Sequence, residues 1–303
     1  MSDQIFDVAV VGGSFAGLTA TLHLARARKS VALFDNGKTR NRFSAHAHNF
    51  IGQDGNAPTA IRLAGRSDAL AYPSVKLFEE TVTKVTNDGL FTLTADHTIR
   101  AKRLILAHGM RDILPRIEGL SDCWGKTIIQ CPFCDGFEKA NQPTGMLLTN
   151  PDMAEHVLML QNWSDDMILF LNGHSIPEET AQKIRGKGIK IIERSVARVD
   201  HTDGNLSHII LENGEAVARE FLYLAANFEL STDLATQLGC ETVDTPFGSH
   251  LKVGSMMDTS VPGVYAAGDV TRMMFGANFA VADGAMAGSA CVHSLIFDPA
   301  NAA

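Results

Sequence analysis

The chain has little cysteine, little tryptophan and tyrosine, and no excess of positive charge. Its 303 residues include five cysteines, two tryptophans and three tyrosines. Twenty-six lysines and arginines stand against 34 aspartates and glutamates, which leaves a net charge of −8. Because nucleic acids and anionic membranes are held by basic surfaces, we expect neither as a partner. A cysteine content this low in a chain of this length also excludes a small disulfide-stapled fold.

The start of the sequence has no long hydrophobic run. Residues 1–7 contain no lysine or arginine, and the apolar run 8–11 ends at a glycine. Signal peptides and membrane-spanning helices need longer apolar stretches, so we expect neither, and we expect a cytoplasmic protein. With 45% hydrophobic and 20% charged residues the composition is that of a globular protein. The length fits about two domains.

Apolar runs that end at aspartate or glycine predict buried parallel strands early in the chain. Residues 7–11 and 30–35 contain such runs, and the stretch from Leu18 to Arg28 between them has helical spacing. A further apolar run, residues 102–107, leads towards Gly109. Strand, helix and strand in this order form a βαβ unit, so we expect a doubly wound α/β sheet.

The same pattern restarts after Gly119. We predict a helix over residues 153–163 in this part, and hairpin turns at Asp203-Gly204 and Asn213-Gly214. A last buried strand and a long apolar helix follow near the end of the chain. The predicted strands of this part are 145–149, 166–171, 190–192, 221–225 and 264–269, and the long helix covers 277–296.

A glycine-rich turn follows the first predicted strand and opens the first helix. It reads GGSFAG, residues 12–17, with Ser14 at the middle glycine of the G-x-G-x-x-G pattern. Gly12 permits the tight turn, Gly17 lets the helix pack on the sheet, and the free N–H groups of the helix suit a pyrophosphate. Asp35 lies eighteen residues beyond Gly17, where a ribose hydroxyl needs an acceptor. The turn predicts a dinucleotide site; the alternative is an ordinary strand–helix turn with a solvated Asp35.

Gly268-Asp269 stands between the last strand and the last helix. An acid at this position can accept a hydrogen bond from a ribityl or ribose hydroxyl, and it indicates a flavin rather than a nicotinamide. The alternative is a turn or helix-cap aspartate.

The motif CPFC, from Cys131 to Cys134, is followed directly by Asp135. Two cysteines at this spacing can close and open a disulfide, and a nearby cation or helix end makes the thiolate available. Half of a zinc site is the alternative, but a structural zinc takes four ligands and the sequence has no second such pair. We therefore predict a redox-active pair. The other three cysteines, which we expect to be small buried apolar residues, are Cys123, Cys240 and Cys291.

These motifs, in this order, resemble those of the low-molecular-weight thioredoxin reductases and their flavin-dependent dithiol oxidase relatives. The resemblance covers essentially the whole chain. It implies two Rossmann-like three-layer nucleotide-binding domains of the α/β class, the second inserted in the first. The FAD-binding domain would comprise residues 1–116 and 245–303, and the NAD(P)H-type domain residues 117–244 with the CPFC motif. Tightly bound FAD and a homodimer are implied as well.

The resemblance also assigns roles to individual residues. Cys134 would be the sulfur next to the flavin, Cys131 the sulfur that exchanges with substrate, and Asp135 the acid that manages protons. His48 and Asn49 would approach the isoalloxazine ring, although His46 and His48 are also spaced to bind a metal. We expect no metal. The residues expected to bind FAD are Gly12, Gly13, Ser14, Gly17, Asp35, His48, Asn49, Gly109, Gly268, Asp269 and Ala277.

The chain departs from the thioredoxin reductases where those enzymes bind NADPH, with a second glycine-rich turn and a basic cluster. The corresponding turn, residues 148–154, contains Pro151, which has no N–H donor, and Asp152, which is negative where a phosphate would lie. The next strand leads into residues 172–177, which contain no arginine to pair with a phosphate. NADPH binding is therefore open between two hypotheses: a divergent loop that still binds it, and a domain that has lost it.

A second departure lies before the last helix. Where the family has Arg-Gln-Ala near the flavin, this chain has Met273-Met274-Phe275-Gly276-Ala277-Asn278, a largely apolar stretch. That stretch predicts a pocket for an apolar dithiol or, equally, a core or dimer contact.

Our leading hypothesis is an FAD-dependent thiol/disulfide oxidoreductase that works through Cys131 and Cys134. It would pass electrons between FAD and a substrate dithiol or disulfide without ordinary NADPH binding, using O2 or another carrier. One alternative is an NADPH-dependent thioredoxin or disulfide reductase with a divergent NADPH site, and another is a flavin redox sensor that does not turn over. The substrate would be a small molecule or a thioredoxin-like protein.

Overall fold

The computed structural model describes residues 4–297. The strands in this range are β1 Ile5–Val11, β2 Val31–Phe34, β3 Val75–Phe78, β4 Lys84–Asn87, β5 Phe91–Thr94, β6 Thr98–Leu106, β7 Met110–Ile113, β8 Ile128–Ile129, β9 Thr144–Leu147, β10 Met167–Phe170, β11 Lys190–Ile192, β12 Val196–Thr202, β13 Asn205–Leu211, β14 Ala216–Ala218, β15 Phe221–Leu224, β16 Asn227–Leu230, β17 Thr242–Thr245, β18 Gly248–Leu251 and β19 Val264–Ala266. The α-helices are α1 Phe15–Arg26, α2 Pro58–Leu70, α3 Leu120–Cys123, α4 Pro132–Asp135, α5 His156–Leu160, α6 Glu178–Arg185, α7 Leu234–Leu238 and α8 Ala277–Phe297. Single 3₁₀ turns cover Arg40–Phe43, Pro151–Met153 and Asp269–Thr271.

The chain divides into two compact units. The first unit contains the chain up to Arg42, Pro58–Arg111 and the chain from Phe228 onward, and the second contains Phe43–Ala57 and Asp112–Asn227. The chain therefore passes between units after residues 42, 57, 111 and 227. The predicted domain boundaries are 116 and 245. The assignment of one cofactor to each domain stays a prediction.

The first unit is built on a sheet with the strand order β3-β2-β1-β6, to which β5 and β4 add at one edge. Strands β1, β2, β3 and β6 run parallel, β19 also pairs parallel with β6, and β4 and β5 are antiparallel. Both faces of the parallel part are buried. Val8 and Val10 pack on one face with residues of α1 and α8, while Ala9 and Val11 pack on the other. This burial on both faces explains why β1 reads as a continuous apolar run.

The second unit is built on a parallel sheet with the order β11-β10-β9-β15-β8. One face packs against residues of α5 and α6, among them Val157 and Ile184. The other face packs against the antiparallel sheet β12-β13-β14, through Val199 and Ile209 among others. Each unit is thus a three-layer α/β sandwich, and the mixed α/β fold with Rossmann-like sheets predicted from the sequence is confirmed.

Most predicted elements occur within one to three residues of their expected ends. The hairpin turns are confirmed as well: Asp203 and Gly204 have φ of +52° and +82°, and Gly214 has φ of +85°. The helix predicted over 153–163 is wrong in extent, because α5 covers only His156–Leu160. The chain before it forms the 3₁₀ turn Pro151–Met153, and the Asn150 side chain accepts a hydrogen bond from the Asp152 amide.

Helix α8 is, among the residues described, the one helix long and apolar enough to cross a membrane by length and composition. It packs along α1 at Gly284 and Gly288: a Cβ at Gly284 would lie 2.2 Å from the Ala16 carbonyl oxygen, and one at Gly288 would lie 2.9 Å from that of Ala20. Cys291 and Ala287 are fully buried on the same face. These contacts are those of a core helix.

Candidate active site

The glycine-rich turn after β1 is held so tightly that two of its glycines cannot be replaced. Gly12 has φ of +113°, and a Cβ there would lie 2.1 Å from the Ala107 carbonyl oxygen at the end of β6. A Cβ at Gly17 would lie 1.7 Å from the Gly12 carbonyl oxygen. Ser14 is the N-cap residue of α1, and its side chain makes no capping hydrogen bond. The amide groups at the start of α1 thus lie beside a backbone turn with no side chain in the way, as the phosphate-binding turn of a dinucleotide site requires.

Asp35 lies directly behind this turn, at the end of β2. The carboxyl is buried, with 6% of the residue exposed, and a Cβ at Gly13 would lie 2.5 Å from the Asp35 Cβ. Arg62 Nη1 donates to Asp35 Oδ2 at 2.8 Å, and the Gly37 amide donates to Oδ1 at 2.9 Å. The sequence predicted Asp35 but not Arg62, which comes from the largely exposed helix α2. Arg62 pairs with the Asp35 carboxyl and orients it beside the turn.

Asp269 follows β19 and begins the 3₁₀ turn Asp269–Thr271. Arg40 Nη1 lies 3.1 Å from Asp269 Oδ2, and the Arg40 guanidinium lies 3.8 Å above the centre of the Phe275 ring. Phe275 in turn contacts Phe228 edge to face, with ring centres 5.1 Å apart. The apolar stretch predicted to form a pocket is therefore divided: Phe275 packs under Arg40, while Met273 and Met274 are exposed.

The turn that carries Asp269 is tied to helix α8 by a buried carboxyl. Asp283 accepts hydrogen bonds from the Gly268 amide at 3.3 Å and from the Thr271 hydroxyl at 3.4 Å, and it pairs with Arg272. Burial raises the pKa of Asp283, although Arg272 opposes the shift. Asp283 lies in α8, which begins at Ala277, six residues before it. Asp283 therefore fixes the turn from which Asp269 projects.

The cysteine pair lies in the second unit, at the start of helix α4. Cys131 is the N-cap of this short helix and Cys134 lies inside it, with the two sulfur atoms 2.7 Å apart and both cysteines in the thiol form. The Cys134 thiol donates to the Cys131 sulfur, and the Phe133 and Cys134 amides also point at that sulfur. These hydrogen bonds lower the pKa of Cys131 against the opposing effect of burial. The pKa of Cys134 is raised, because its proton is held by Cys131 and because it is buried.

Asp135 follows Cys134 directly and is partly buried. Burial raises its pKa, and the neighbouring Glu138 carboxylate adds to that shift, whereas His48, Lys139 and His46 oppose it. A carboxyl with a raised pKa beside a thiol can exchange a proton near the pH at which the thiol reacts. This arrangement supports the predicted proton-handling role of Asp135.

Two exposed aromatic side chains lie within and just after the motif. Phe133, inside the motif, is 62% exposed and contacts Trp163 edge to face at 5.4 Å. Phe137 is 84% exposed.

His48 and Asn49 lie in the second unit, with the dithiol, as part of Phe43–Ala57. His48 Nε2 lies 3.4 Å from a Glu138 carboxylate oxygen and Nδ1 lies 3.6 Å from one of Asp54. Asn49 has a left-handed backbone, with φ of +62°, and its amide donates to Asp54 at 2.7 Å. The predicted approach of His48 and Asn49 to the isoalloxazine ring remains a prediction. Glu138 was missed by the sequence reasoning; it lies three residues after Asp135, in the turn that follows α4.

Comparisons with known proteins agree with this geometry. The family model described as pyridine nucleotide-disulphide oxidoreductase matches residues 6–287. The chain belongs to this family. Thioredoxin reductase aclD of Aspergillus oryzae is 31% identical over 98% of this chain and 99% of its own length, and thioredoxin reductase tcpT of Claviceps purpurea is 31% identical over 98% and 96%. The crystal structure of an oxidoreductase from Agrobacterium tumefaciens has a TM-score of 0.92 at 34% identity, covering 97% of this chain and 99% of that one.

This chain is thus an FAD-dependent disulfide oxidoreductase of thioredoxin reductase-like fold. The residues of the first unit fit FAD. Gly12 and Gly17 form a cradle that a Cβ would fill, and Asp35 is a buried, oriented acceptor behind it. Gly109, three residues after the end of β6, has φ of +74° and open space where a Cβ would lie. When bound there, FAD supplies the two-electron acceptor for a reduced cysteine pair.

The corresponding turn of the second unit is built differently. After β9 the chain passes through Thr149, whose hydroxyl donates to the Ala225 carbonyl at 2.6 Å, into the 3₁₀ turn Pro151–Met153. Helix α5 begins only at His156 and has Glu155 at its N-cap. The turn thus offers a proline, an amide already bonded to Asn150 and an acidic cap where a nicotinamide dinucleotide would place its pyrophosphate.

Two further predictions concern cysteines and metals. Cys123, Cys240 and Cys291 are buried, as expected. Among residues 4–297 the structure contains no group of three or more His, Cys, Asp or Glu side chains placed to hold a metal ion.

Proposed function

We propose that this flavoprotein is a dithiol oxidase: it oxidises a substrate dithiol to a disulfide through Cys131 and Cys134 and passes the electrons by way of FAD to O2. The overall reaction is R(SH)2 + O2 → RS2 + H2O2. One observation carries the proposal against a nicotinamide-dependent reaction, namely the turn after β9. Pro151, the Asn150-bonded Asp152 amide and the acidic cap Glu155 make that turn a poor pyrophosphate site.

The thiol steps follow from the asymmetry of the pair. In the oxidised protein, a substrate thiolate attacks the Cys131 sulfur, its proton having gone to Asp135, and the bond between Cys131 and Cys134 breaks with the electron pair on Cys134. The second substrate thiol gives its proton to the Cys134 thiolate and attacks the substrate sulfur of the mixed disulfide. Cys131 leaves as a thiolate and takes the proton held by Asp135. Cys131 is suited to leave because its pKa is lowered by the Cys134 thiol and two amides. The substrate departs as a disulfide and the pair is left as two thiols.

The exposed rings beside the pair favour an apolar dithiol. Phe133 lies between the two cysteines and Phe137 lies three residues after Cys134; both present their rings to solvent, and burying them against a substrate is favourable. A small dithiol and a protein dithiol are distinguished by comparing dithiothreitol with reduced thioredoxin as electron donors. The same proposal includes a cytoplasmic location, as expected from the sequence, and a homodimer, which the family resemblance implies; light scattering of the purified protein tests the homodimer.

A second candidate is an NADPH-dependent disulfide reductase. It is favoured by the names of the relatives aclD and tcpT, both thioredoxin reductases. In that case the thiol steps run in the opposite direction and NADPH supplies the electrons.

Anaerobic mixing of the oxidised FAD-loaded protein with dithiothreitol, NADH or NADPH distinguishes the two. We expect dithiothreitol to bleach the flavin absorbance rapidly and air to restore it with formation of peroxide, while both nicotinamides leave the spectrum unchanged. Cys131→Ser should abolish the bleaching by dithiothreitol, and Cys240→Ser, a change at a buried cysteine of the first unit, should not. Rapid bleaching by NADPH would overturn the dithiol oxidase in favour of the reductase. A single reduction with no reoxidation by air would indicate a redox sensor.

A further inference from the structure

A cluster of charged side chains surrounds Asp135 that the thiol steps above do not use. Glu138 lies three residues after Asp135, in the turn that follows α4, and His48 reaches Glu138 from the separate segment Phe43–Ala57 with Nε2 3.4 Å from the carboxylate. The other nitrogen of His48 lies 3.6 Å from Asp54. His48 thus stands between two carboxylates, one of which borders the acid of the exchange reaction.

The segment is built to hold His48 in this place. Its two ends are joined by a bridge in which the Ala47 amide donates to the Asn56 carbonyl at 2.8 Å and the Gly55 amide to the Ala47 carbonyl at 2.9 Å. Asp54 accepts from the Asn49 amide at 2.7 Å, which fixes the carboxylate that faces His48 Nδ1. The His48 side chain is only 19% exposed, whereas that of Asp54 is 68% exposed.

We propose that His48 is a positioning residue for the thiol exchange: through Glu138 it sets the charge beside Asp135 and so decides when Asp135 can accept the proton of the incoming thiol. The inference rests on the proposed function, because it concerns the same exchange at Cys131. The proton balance is simple: the substrate S–H bond breaks, its proton goes to the Asp135 carboxylate, and the sulfur attacks Cys131. Asp135 must therefore be ionised when the substrate arrives.

The charges that act on Asp135 have opposite signs and known sources. Glu138, from the turn after α4, favours the protonated form of Asp135, while His48 and His46 from the segment and Lys139 from the turn favour the ionised form. Asp54 faces His48 on its outer side. Loss of the His48 charge leaves the Glu138 carboxylate uncompensated, so Asp135 keeps its proton to higher pH. Loss of the Glu138 charge has the opposite effect.

The test measures the pH dependence of flavin bleaching by dithiothreitol in the FAD-loaded wild type and variants. The ionisation of dithiothreitol is common to all of them, so differences between variants belong to the protein. We expect the acid limb of the profile to move up by about one pH unit in His48→Gln and down by about the same amount in Glu138→Gln. His48→Lys, which restores a cation without an imidazole, should return the limb towards that of the wild type. His156→Gln, at an exposed histidine of the same unit, should leave it unchanged.

A second readout needs no turnover. The protein is reduced with a phosphine, and the rate at which iodoacetamide alkylates Cys131 is followed against pH by peptide mass spectrometry. The Asp135 charge raises the pKa of Cys131, so ionisation of Asp135 appears as an inflection. The inflection should move in the same directions as the acid limb.

Unchanged profiles in both His48→Gln and Glu138→Gln would overturn the inference even if the wild type is bleached as proposed. If dithiothreitol fails to bleach the wild type, the proposed function fails, and the alkylation profile still decides whether His48 controls Asp135. A uniform loss of rate in His48→Gln without a shift, not rescued by His48→Lys, would show a structural role only and would also overturn it.

Discussion

The two cysteines of the CPFC motif differ because only one sulfur is a hydrogen-bond acceptor. The Cys131 sulfur lies at the N-terminus of α4 and accepts hydrogen bonds from the Cys134 thiol and from two amides. These donors favour the thiolate form of Cys131. The Cys134 thiol keeps its proton and donates it in a hydrogen bond to Cys131, so the pKa of Cys134 is raised. The division of roles expected from the family resemblance thus has a local physical basis. Reactivity towards an electrophile should follow it.

Removal of the Cys134 thiol should make Cys131 less reactive. In Cys134→Ala the strongest donor to the Cys131 sulfur is lost, so the pKa of Cys131 rises and its thiolate fraction at neutral pH falls. Alkylation of Cys131 by iodoacetamide at pH 7 should slow about tenfold for each unit of the rise in pKa. Cys134→Ser is the matched control, because a hydroxyl can still donate, and it should slow the reaction less. Equal rates in the wild type and Cys134→Ala would contradict this account.

Residues that belong to one short sequence pattern could be predicted from the sequence, whereas contacts between residues far apart in the sequence could not. Gly12, Gly17 and Asp35 belong to one βαβ unit, so their spacing alone predicts a phosphate-binding turn with an acid behind it. Arg62 is invisible to such reasoning, because it reaches Asp35 from a helix whose other residues are mostly exposed. His48 was recognised, but its pairing with Glu138 joins positions ninety residues apart.

Among the elements, the buried strands were predicted well and helix α5 was not. A strand buried on both faces leaves a continuous apolar run, which β1, β9 and β10 all show. The helix predicted over 153–163 has suitable apolar residues, but local hydrogen bonding competes with it at its start. Asn150 and Pro151 together favour a 3₁₀ turn, which delays α5 to His156.

The close packing of α1 and α8 leads to a matched pair of predictions about glycines in helices. A Cβ at Gly284 in α8 would lie 2.2 Å from the Ala16 carbonyl oxygen and 3.0 Å from the Thr19 Cβ, so Gly284→Ala must separate the two helices. Overpacking of this kind costs about 1–3 kcal/mol of the free energy of unfolding, and more where backbone must shift. A Cβ at Gly65 in α2 would meet Leu18 Cδ1 at an ordinary 3.6 Å. Gly65→Ala should therefore stabilise the protein by about 0.4–1 kcal/mol.

Thermal unfolding of the FAD-free and FAD-loaded forms of both variants measures this difference. The melting temperature should fall in Gly284→Ala and rise in Gly65→Ala relative to the wild type. Because Gly284 lies against the Ala16 turn of α1, Gly284→Ala should also weaken FAD binding, which flavin fluorescence reports. A Gly284→Ala protein as stable as the wild type would show that α1 and α8 are not packed as described.

For the whole molecule, the grouping of residues into units was harder to predict than the sheets. The segment Phe43–Ala57 is preceded and followed by residues of the first unit, yet it belongs to the unit of the dithiol. Nothing in the composition of this segment distinguishes it from its neighbours, because the contacts that assign it, such as that of His48 with Glu138, are made to residues far along the chain. Contacts of this kind carry no periodic signal.

The difference between the two nucleotide-type sheets leads to a prediction that does not depend on turnover. A ligand that binds only the folded protein stabilises it by about 2.7 kcal/mol at a concentration one hundred times its Kd. The first unit has the glycine cradle and Asp35, so addition of FAD to the FAD-free protein should raise the melting temperature by several degrees. The second unit has Pro151 and the Asn150-bonded Asp152 amide instead, so millimolar NADPH added to the FAD-loaded protein should not change the melting temperature.

Isothermal titration calorimetry of the same mixtures should show heat for FAD and none for NADPH. A nicotinamide-dependent rise comparable to that with FAD would mean that the turn after β9 still binds a dinucleotide, and electrons would then enter this flavoprotein from NADPH.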